Sequence, residues 1–285
     1  MVGRAKTLGR HMKFLLAVLS SLAVQIASGP ADAQNRAEDL ADIVEFELLS
    51  GWRQPNGTHM AALRLDMEPG WNTYWRVPGE TGTPPHFGWL GSENLRDVTV
   101  HWPRPQIFSK YGYRILGYKN ELILPLEFVP VDSNDSVQVR GQIELGICSD
   151  ICVPVTFDLS AELKSSDRRK HEKIVRALAT TARSAKSHGL RAVRCSLTPA
   201  KNGFTVTARI DMPPVSGGDE IAVLEMDNPD VWFSDAKSSR DGRDLTVVSR
   251  LVNYGGGAMV VDRSKIRITV FGQSGSVEIN GCPGG

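Results

Sequence analysis

Apolar and polar residues alternate in short runs through most of the chain. One alternation begins at Val44-Glu45-Phe46-Glu47-Leu48-Leu49. Another runs from Met60 to Met67 and stops at Pro69-Gly70, and Val98 to Trp102 stops at Pro103. Glu121–Val129, Val137–Leu145 and Val153–Leu159 add further apolar, β-rich runs. A period of two, broken repeatedly by Gly, Pro and Asn, predicts many short strands and hence a β-sandwich. Pro125 lies inside one run, which suggests an edge strand or a bulge there. The stretch from Pro78 to Gly91 is rich in Gly and Pro and reads as a long loop.

The period changes between Ser165 and His188. Ser166 or Asp167 supplies a helix cap, while Ile174, Val175, Leu178, Ala179 and Ala182 share one helical face and Gly189 closes the segment. Strand-like runs resume at Gly203–Ile210, Ile221–Met226, Leu245–Val252, Ala258–Val261, Ile266–Phe271 and Val277–Ile279. The expected division is a first β-sandwich over 34–164, a helical connector over 165–189 and a second, smaller β-sandwich over 190–285.

The first residues obey neither pattern. Arg4, Lys6, Arg10 and Lys13 precede an apolar run from Phe14 to Ile26, followed by Ala31-Asp32-Ala33. This is the layout of a secretory signal peptide, residues 1–33, cleaved before Gln34. The run is shorter than the ~20 residues a spanning helix needs. The mature chain is therefore expected in the periplasm, with no stable membrane insertion after cleavage. Cleavage changes 33 basic and 32 acidic residues to 29 and 31, a net charge of −2. No stripe of Lys and Arg interleaved with aromatics marks a nucleic-acid surface, so no nucleic-acid partner is expected.

Export gives the four cysteines an oxidising environment. Cys148 and Cys152 are neighbours, whereas Cys195 and Cys282 bracket the second half, so the expected bonds are Cys148–Cys152 and Cys195–Cys282. Two extended residues four apart would be about 13 Å from each other. A disulfide needs roughly 4.4–6.8 Å between Cα atoms. The chain must therefore turn between a strand ending near Leu145 and one starting near Val153. So small a ring contributes less stability than a large one, and small rings on turns suit a switchable disulfide. A structural staple and half of a metal site remain open. Zinc wants four ligands; copper could add His59-Met60. Asp150, between the two cysteines, would tend to raise both thiol pKa values. A Cys195–Cys282 bond would close a loop of nearly ninety residues, worth about 4 kcal/mol, and reads as a structural disulfide. A second redox pair is the alternative there.

The segment Pro69-Gly70-Trp71-Asn72-Thr73-Tyr74-Trp75-Arg76-Val77-Pro78-Gly79 resembles the opening strands of the N-terminal periplasmic domain of DsbD- and ScsB-type thiol–disulfide reductases. Gly117-Tyr118, Leu122-Ile123-Leu124-Pro125-Leu126 and the turn ending in Cys152-Val153-Pro154 share the resemblance, which spans about Ile43 to Leu163. It implies an immunoglobulin-like sandwich. The expected fold class is then all-β, two immunoglobulin-like β-sandwich domains joined by a short helical connector. It also implies a redox pair at Cys148 and Cys152, with Cys152 as the attacking thiol. Tyr74, Trp75, Phe87 and Tyr118 are candidates to line or cap the pair, with core packing as the plainer role; the loop from Gly79 to Phe87 is a candidate cap. The five-residue Cys-Ser-Asp-Ile-Cys turn is closest to the ScsB branch, which is associated with copper tolerance. No membrane-spanning or thioredoxin-like domain is expected in this chain, so a membrane or periplasmic thiol–disulfide oxidoreductase is the expected partner. The resulting expectation is a soluble periplasmic thiol–disulfide oxidoreductase acting by dithiol/disulfide exchange, with no cofactor and no metal. The alternative is a non-catalytic interaction or copper-handling module in which the pair is structural or a metal ligand.

Overall fold

The second strand shows how sequence becomes layer. In the computed structural model, which describes residues 43–79, 82–256 and 260–284, β2 spans His59–Met67. Ala61, Leu63, Leu65 and Met67 point into the main core, as period-two geometry requires. Met60 and Ala62 face the opposite way and are also buried, because a helix, α1 (Glu172–Leu178), covers that face with Ile174 and Leu178. A strand buried on both sides loses its polar alternation, which explains the run Met60-Ala61-Ala62-Leu63. Each of the buried Leu and Met side chains contributes about 1.5–3 kcal/mol on burial.

The first half contains β1 (Val44–Arg53), β3 (Asn72–Gly79), β4 (His86–Gly88), β5 (Leu95–Val100), β6 (Gln106–Lys110), β7 (Tyr113–Lys119), β8 (Glu121–Pro130), β9 (Val137–Cys148) and β10 (Cys152–Leu163) around β2. They form two facing sheets, ordered β1-β2-β8-β5 and β10-β9-β3-β7-β6, with β4 added beside β9. Leu124, Leu126, Phe128, Trp75, Ile143 and Ile147 fill the space between them. The second half contains β11 (Arg183–Ser184), β12 (Ala192–Ala200), β13 (Gly203–Asp211), β14 (Ile221–Met226), β15 (Val231–Phe233), β16 (Lys237–Asp241), β17 (Asp244–Asn253), β18 (Ile266–Phe271) and β19 (Ser276–Asn280). Its sheets run β11-β19-β18-β14 and β12-β13-β17-β15, with β16 paired to β17, and they enclose their own core. The fold is all-β, with immunoglobulin-like sandwich architecture and a minor helical element.

Several expectations change. Pro125 stands in β8, which is internal rather than an edge. Its carbonyl accepts from the His101 N–H at 2.9 Å. The missing proline N–H therefore faces the same side, where β5 has already ended at Val100. The helix is one of seven residues and not the full stretch from Ser166. Thr180 and Thr181 hydroxyls donate back to the Ala177 and Leu178 carbonyls and terminate it. Beyond that, Arg183 and Ser184 pair in parallel with Val277 and Glu278, so part of the expected connector becomes β11. The Pro78–Gly91 stretch contains β4. Of the predicted Ala258–Val261 strand, residues 258–259 lie outside the described residues, and Val260 and Val261 are not in a strand. The predicted signal peptide also lies outside the described residues.

The two halves meet through Arg76. Its guanidinium donates to Glu225 at 2.9 Å, to Glu278 at 2.6 Å and to the Thr269 hydroxyl at 3.2 Å. Burial opposes the charge, but Glu225 and then Glu278 outweigh it and raise the Arg76 pKa. Trp75 meets Phe271 edge-on, with ring centroids 5.3 Å apart.

Candidate functional site

The β9 and β10 strands run as one long antiparallel hairpin from Val137↔Leu163 to Cys148↔Cys152. The cysteines are its last rung, with Cα atoms 4.1 Å apart, and they are disulfide-bonded. Strand structure thus continues past Leu145, and Ser149-Asp150-Ile151 alone makes the turn. The Ser149 N–H donates to the Ile151 carbonyl at 2.8 Å, closing that turn internally. Cys148 is buried and Cys152 exposed, so the two residues of the bond differ in exposure.

Alternation along the strands decides what surrounds them. Leu145 and Ile147 point into the sandwich, so Gly146 and Cys148 face the outer side of the sheet. There Cys148 packs with Tyr74 of β3, Ile115 of β7 and Phe108 of β6. The Tyr74 hydroxyl lies 3.3 Å from Cys152 Sγ. Its ring is closely held. A Cβ on Gly146 would lie 3.4 Å from one edge, and a Cβ on Gly82 would lie 2.7 Å from the other. Glycine at both positions lets backbone approach the ring. Burial raises the Tyr74 pKa, which keeps its hydroxyl protonated and able to donate.

A second hairpin braces the turn. Tyr111 and Gly112 join β6 to β7 with φ of 52° and 83°, the positive values of a two-residue type I′ turn. Lys110 donates to the Ser149 carbonyl, and its ammonium is 3.7 Å from the Asp150 carboxylate. The Tyr111 hydroxyl donates to the same carboxylate at 3.1 Å, which raises the tyrosine's pKa. Lys110 therefore offsets the negative charge that Asp150 brings to the cysteine turn.

Of the predicted lining residues, the structure brings Tyr74 to the pair. Trp75 and Tyr118 point into the core, where Tyr118 donates to the Pro103 carbonyl at 2.8 Å. Phe87 packs on that core beside Trp89 and Trp102. Gly82, from the expected cap loop, reaches the Tyr74 ring. Phe108, Lys110, Tyr111 and Ile115 were not legible as site residues. A Tyr-Gly turn lacks the Asn-Gly or Asp-Gly signature, so the whole β6–β7 hairpin is hidden in the sequence.

His59 and Met60 lie on β2, in the opposite sheet. His59 is fully buried, and neither ring nitrogen has a hydrogen-bond partner. Among the described residues, no group of three or more His, Cys, Asp or Glu gathers in a metal-binding arrangement. Cys195 and Cys282 are buried and bonded, with Cα atoms 5.4 Å apart. They join β12 of one sheet to the segment after β19 of the other, and the Cys195 N–H donates to the Pro283 carbonyl at 2.7 Å.

Residues 45–163 match the family model described as thiol:disulfide interchange protein DsbD, N-terminal. The chain is also similar to the crystal structure of the N-terminal periplasmic domain of ScsB from Proteus mirabilis. That match has a TM-score of 0.64 at 22% identity and covers 85% of this chain and 94% of the other. The likeness is one of fold, and its extent takes in both pairs of sheets. No curated protein matches the chain. Among the described residues, no helix is long and apolar enough to cross a membrane.

Proposed function

Starting from a chain whose residues 45–163 are a domain of the DsbD N-terminal type, we propose that it performs thiol–disulfide exchange in the periplasm through Cys148 and Cys152. The compartment is inferred from the predicted signal peptide and from the periplasmic origin of the ScsB domain. The observation that carries the activity is the asymmetric rung: an exposed residue, Cys152, whose sulfur lies 3.3 Å from a tyrosine hydroxyl, bonded to a buried Cys148.

In the reduced pair the Cys152 thiolate attacks a partner disulfide. An S–S bond forms between the proteins and one partner sulfur leaves as thiolate. The Cys148 thiolate then attacks Cys152 Sγ, re-forms the ring and releases the second partner thiolate. The two protons of the original thiols end on the partner, which has gained two electrons. Every step runs in reverse from the oxidised pair. Tyr74 donates to the Cys152 sulfur and favours its thiolate. Exposed Ile151, Tyr111 and Tyr113 around the turn provide an apolar surface for a partner oxidoreductase.

The test is trapping together with a redox titration. Cys148→Ala leaves Cys152 without its resolving thiol and should accumulate mixed disulfides with partner proteins in periplasmic extract. Cys152→Ala should accumulate far fewer. The pair should titrate well above −300 mV, the range below which structural disulfides lie. A potential below that value, with no trapped species, would sink the proposal.

A further inference from the structure

We propose that Asn72 holds a hydrogen-bond donor for the Cys148 sulfur and receives it as a thiolate when the disulfide opens. The proposal rests on thiol–disulfide exchange at this pair and assigns a group that tunes it.

Strand register sets the arrangement. Cys152 of β10 lies opposite Cys148 of β9, Cys148 opposite Asn72 of β3, and Asn72 opposite Lys119 of β7. Opposed residues of neighbouring strands project from the same face. Cys152, Cys148, Asn72 and Lys119 therefore form one row across the outer face of the sheet. Cβ atoms of directly opposed residues are about 4.5–5.5 Å apart, so the Asn72 amide and Cys148 Sγ are within reach of each other. Both residues are 3% exposed, so water competes little for either.

Asn72 Nδ2 is buried and has no hydrogen-bond partner in the disulfide-bonded chain. An amide nitrogen donates twice and accepts nothing. A buried donor left unpaired is destabilising and calls for an explanation. A disulfide sulfur is a poor acceptor, whereas a thiolate forms a charge-assisted bond. The amide is thus unsatisfied in the oxidised protein and satisfied in the reduced one, and that difference favours reduction.

The reaction calls for such a group at Cys148. A thiolate of a partner dithiol attacks the exposed residue, Cys152. A bond forms between the partner sulfur and Cys152 Sγ, the Cys148–Cys152 bond breaks, and its electron pair leaves on Cys148 as thiolate. Burial opposes that charge, and a leaving thiolate of lower pKa leaves faster. Tyr74 serves Cys152, 3.3 Å from its sulfur, and Asn72 serves Cys148. The charges nearby do not work against this. The Lys119 ammonium lies 4.1 Å from the centre of the Phe108 ring, which packs beside Cys148, and it favours an anion there. Lys110 and Asp150 offset each other at the turn, where the Tyr111 hydroxyl also bonds the carboxylate.

Two measurements test the role. Cys148 is titrated alone, in a Cys152→Ala background, by the ultraviolet difference absorbance of its thiolate, and the intact pair is equilibrated with glutathione. Asn72→Leu keeps the volume and removes the donor. It should raise the Cys148 pKa by about 1 unit. It should also lower the equilibrium constant for reduction about tenfold, a potential about 30 mV more negative. The oxidised variant should melt at the parent temperature or higher, because an unpaired buried amide is gone. Asn72→Ala and Asn72→Ser differ by one hydroxyl. The first should match Asn72→Leu, and the second, which keeps a donor, should recover most of both shifts. This pair carries the test if Asn72→Leu does not fold. An unchanged pKa and potential in the variants without a donor would overturn the assignment. So would equal shifts in Asn72→Ala and Asn72→Ser, which would leave Asn72 as packing. Failure of exchange itself reads differently: the Cys148→Ala chain, with Asn72 intact, would then trap no partner.

Discussion

At the residue scale, Tyr74 and His59 are buried polar side chains with opposite consequences. Tyr74 touches the Cys152 sulfur at 3.3 Å and is kept neutral by burial. Hydrogen bonds to charged groups are worth about 1.5–3 kcal/mol, and one pKa unit is 1.36 kcal/mol. In a Cys148→Ala background, Tyr74→Phe should therefore raise the Cys152 thiol pKa by about 1 unit, read from the pH dependence of alkylation. An unchanged profile would leave Tyr74 as a spacer. His59 is held at a pKa of about 4, from an ordinary 6.5, first by burial and then by the Arg53 charge. The unfolded chain takes up this proton near pH 6.5 and the folded chain does not. His59 thus costs nothing above pH 6.5, and stability falls as pH drops from 6.5 towards 4. Between pH 7 and pH 4.5 the loss from this residue should be about 2–3 kcal/mol by urea unfolding. His59→Leu should remove that part of the slope. An equally steep slope in the variant would place the effect elsewhere.

At the scale of elements, the informative contrast lies between the two hairpins that meet at the cysteines. The β9–β10 hairpin is legible because its alternation is long and its cysteines demand a turn. The β6–β7 hairpin is not, because its turn is Tyr111-Gly112, its strands are short, and β7 is buried on both faces from Ile115 to Tyr118 and so shows no alternation. The helix shows the reverse error. The sequence continues its apolar period past Leu178, but pairing with β19 recruits Arg183 and Ser184 into a sheet. Local periodicity lost there to a tertiary hydrogen-bond ladder. The Cys148–Cys152 rung is one of twelve paired positions along its hairpin, so opening it should cost the fold little. Graded dithiol followed by alkylation and mass analysis should show this bond opening first, with a melting temperature shifted by no more than a few degrees. Unfolding on opening would make the ring a staple.

At the scale of the whole molecule, Cys195–Cys282 spans 87 residues and bridges the two sheets of the second half. In the chain-entropy model such a loop is worth about 4 kcal/mol. Cys195→Ala with Cys282→Ala should lower the unfolding free energy by about that amount, measured in denaturant, and leave exchange at Cys152 intact. A loss of exchange would show that the second half acts on the site directly. The amino-acid sequence by itself determined the strand-rich class and the placement of most strands, because period-two burial is a local property; a four-residue spacing paired Cys148 with Cys152, which left Cys195 for Cys282. It also pointed to Cys148 and Cys152, since two cysteines so close must share a turn. Tertiary structure alone decided which aromatic reaches the sulfur. Tyr74 and Trp75 are neighbours in sequence, and the pleat sends one to the disulfide and the other to the core beneath Phe271. The same holds for Lys110 at the cysteine turn and for the Arg76 ion pairs that join the two halves. Both depend on residues far apart in the chain, which only the stacking order of sheets brings within a few ångströms.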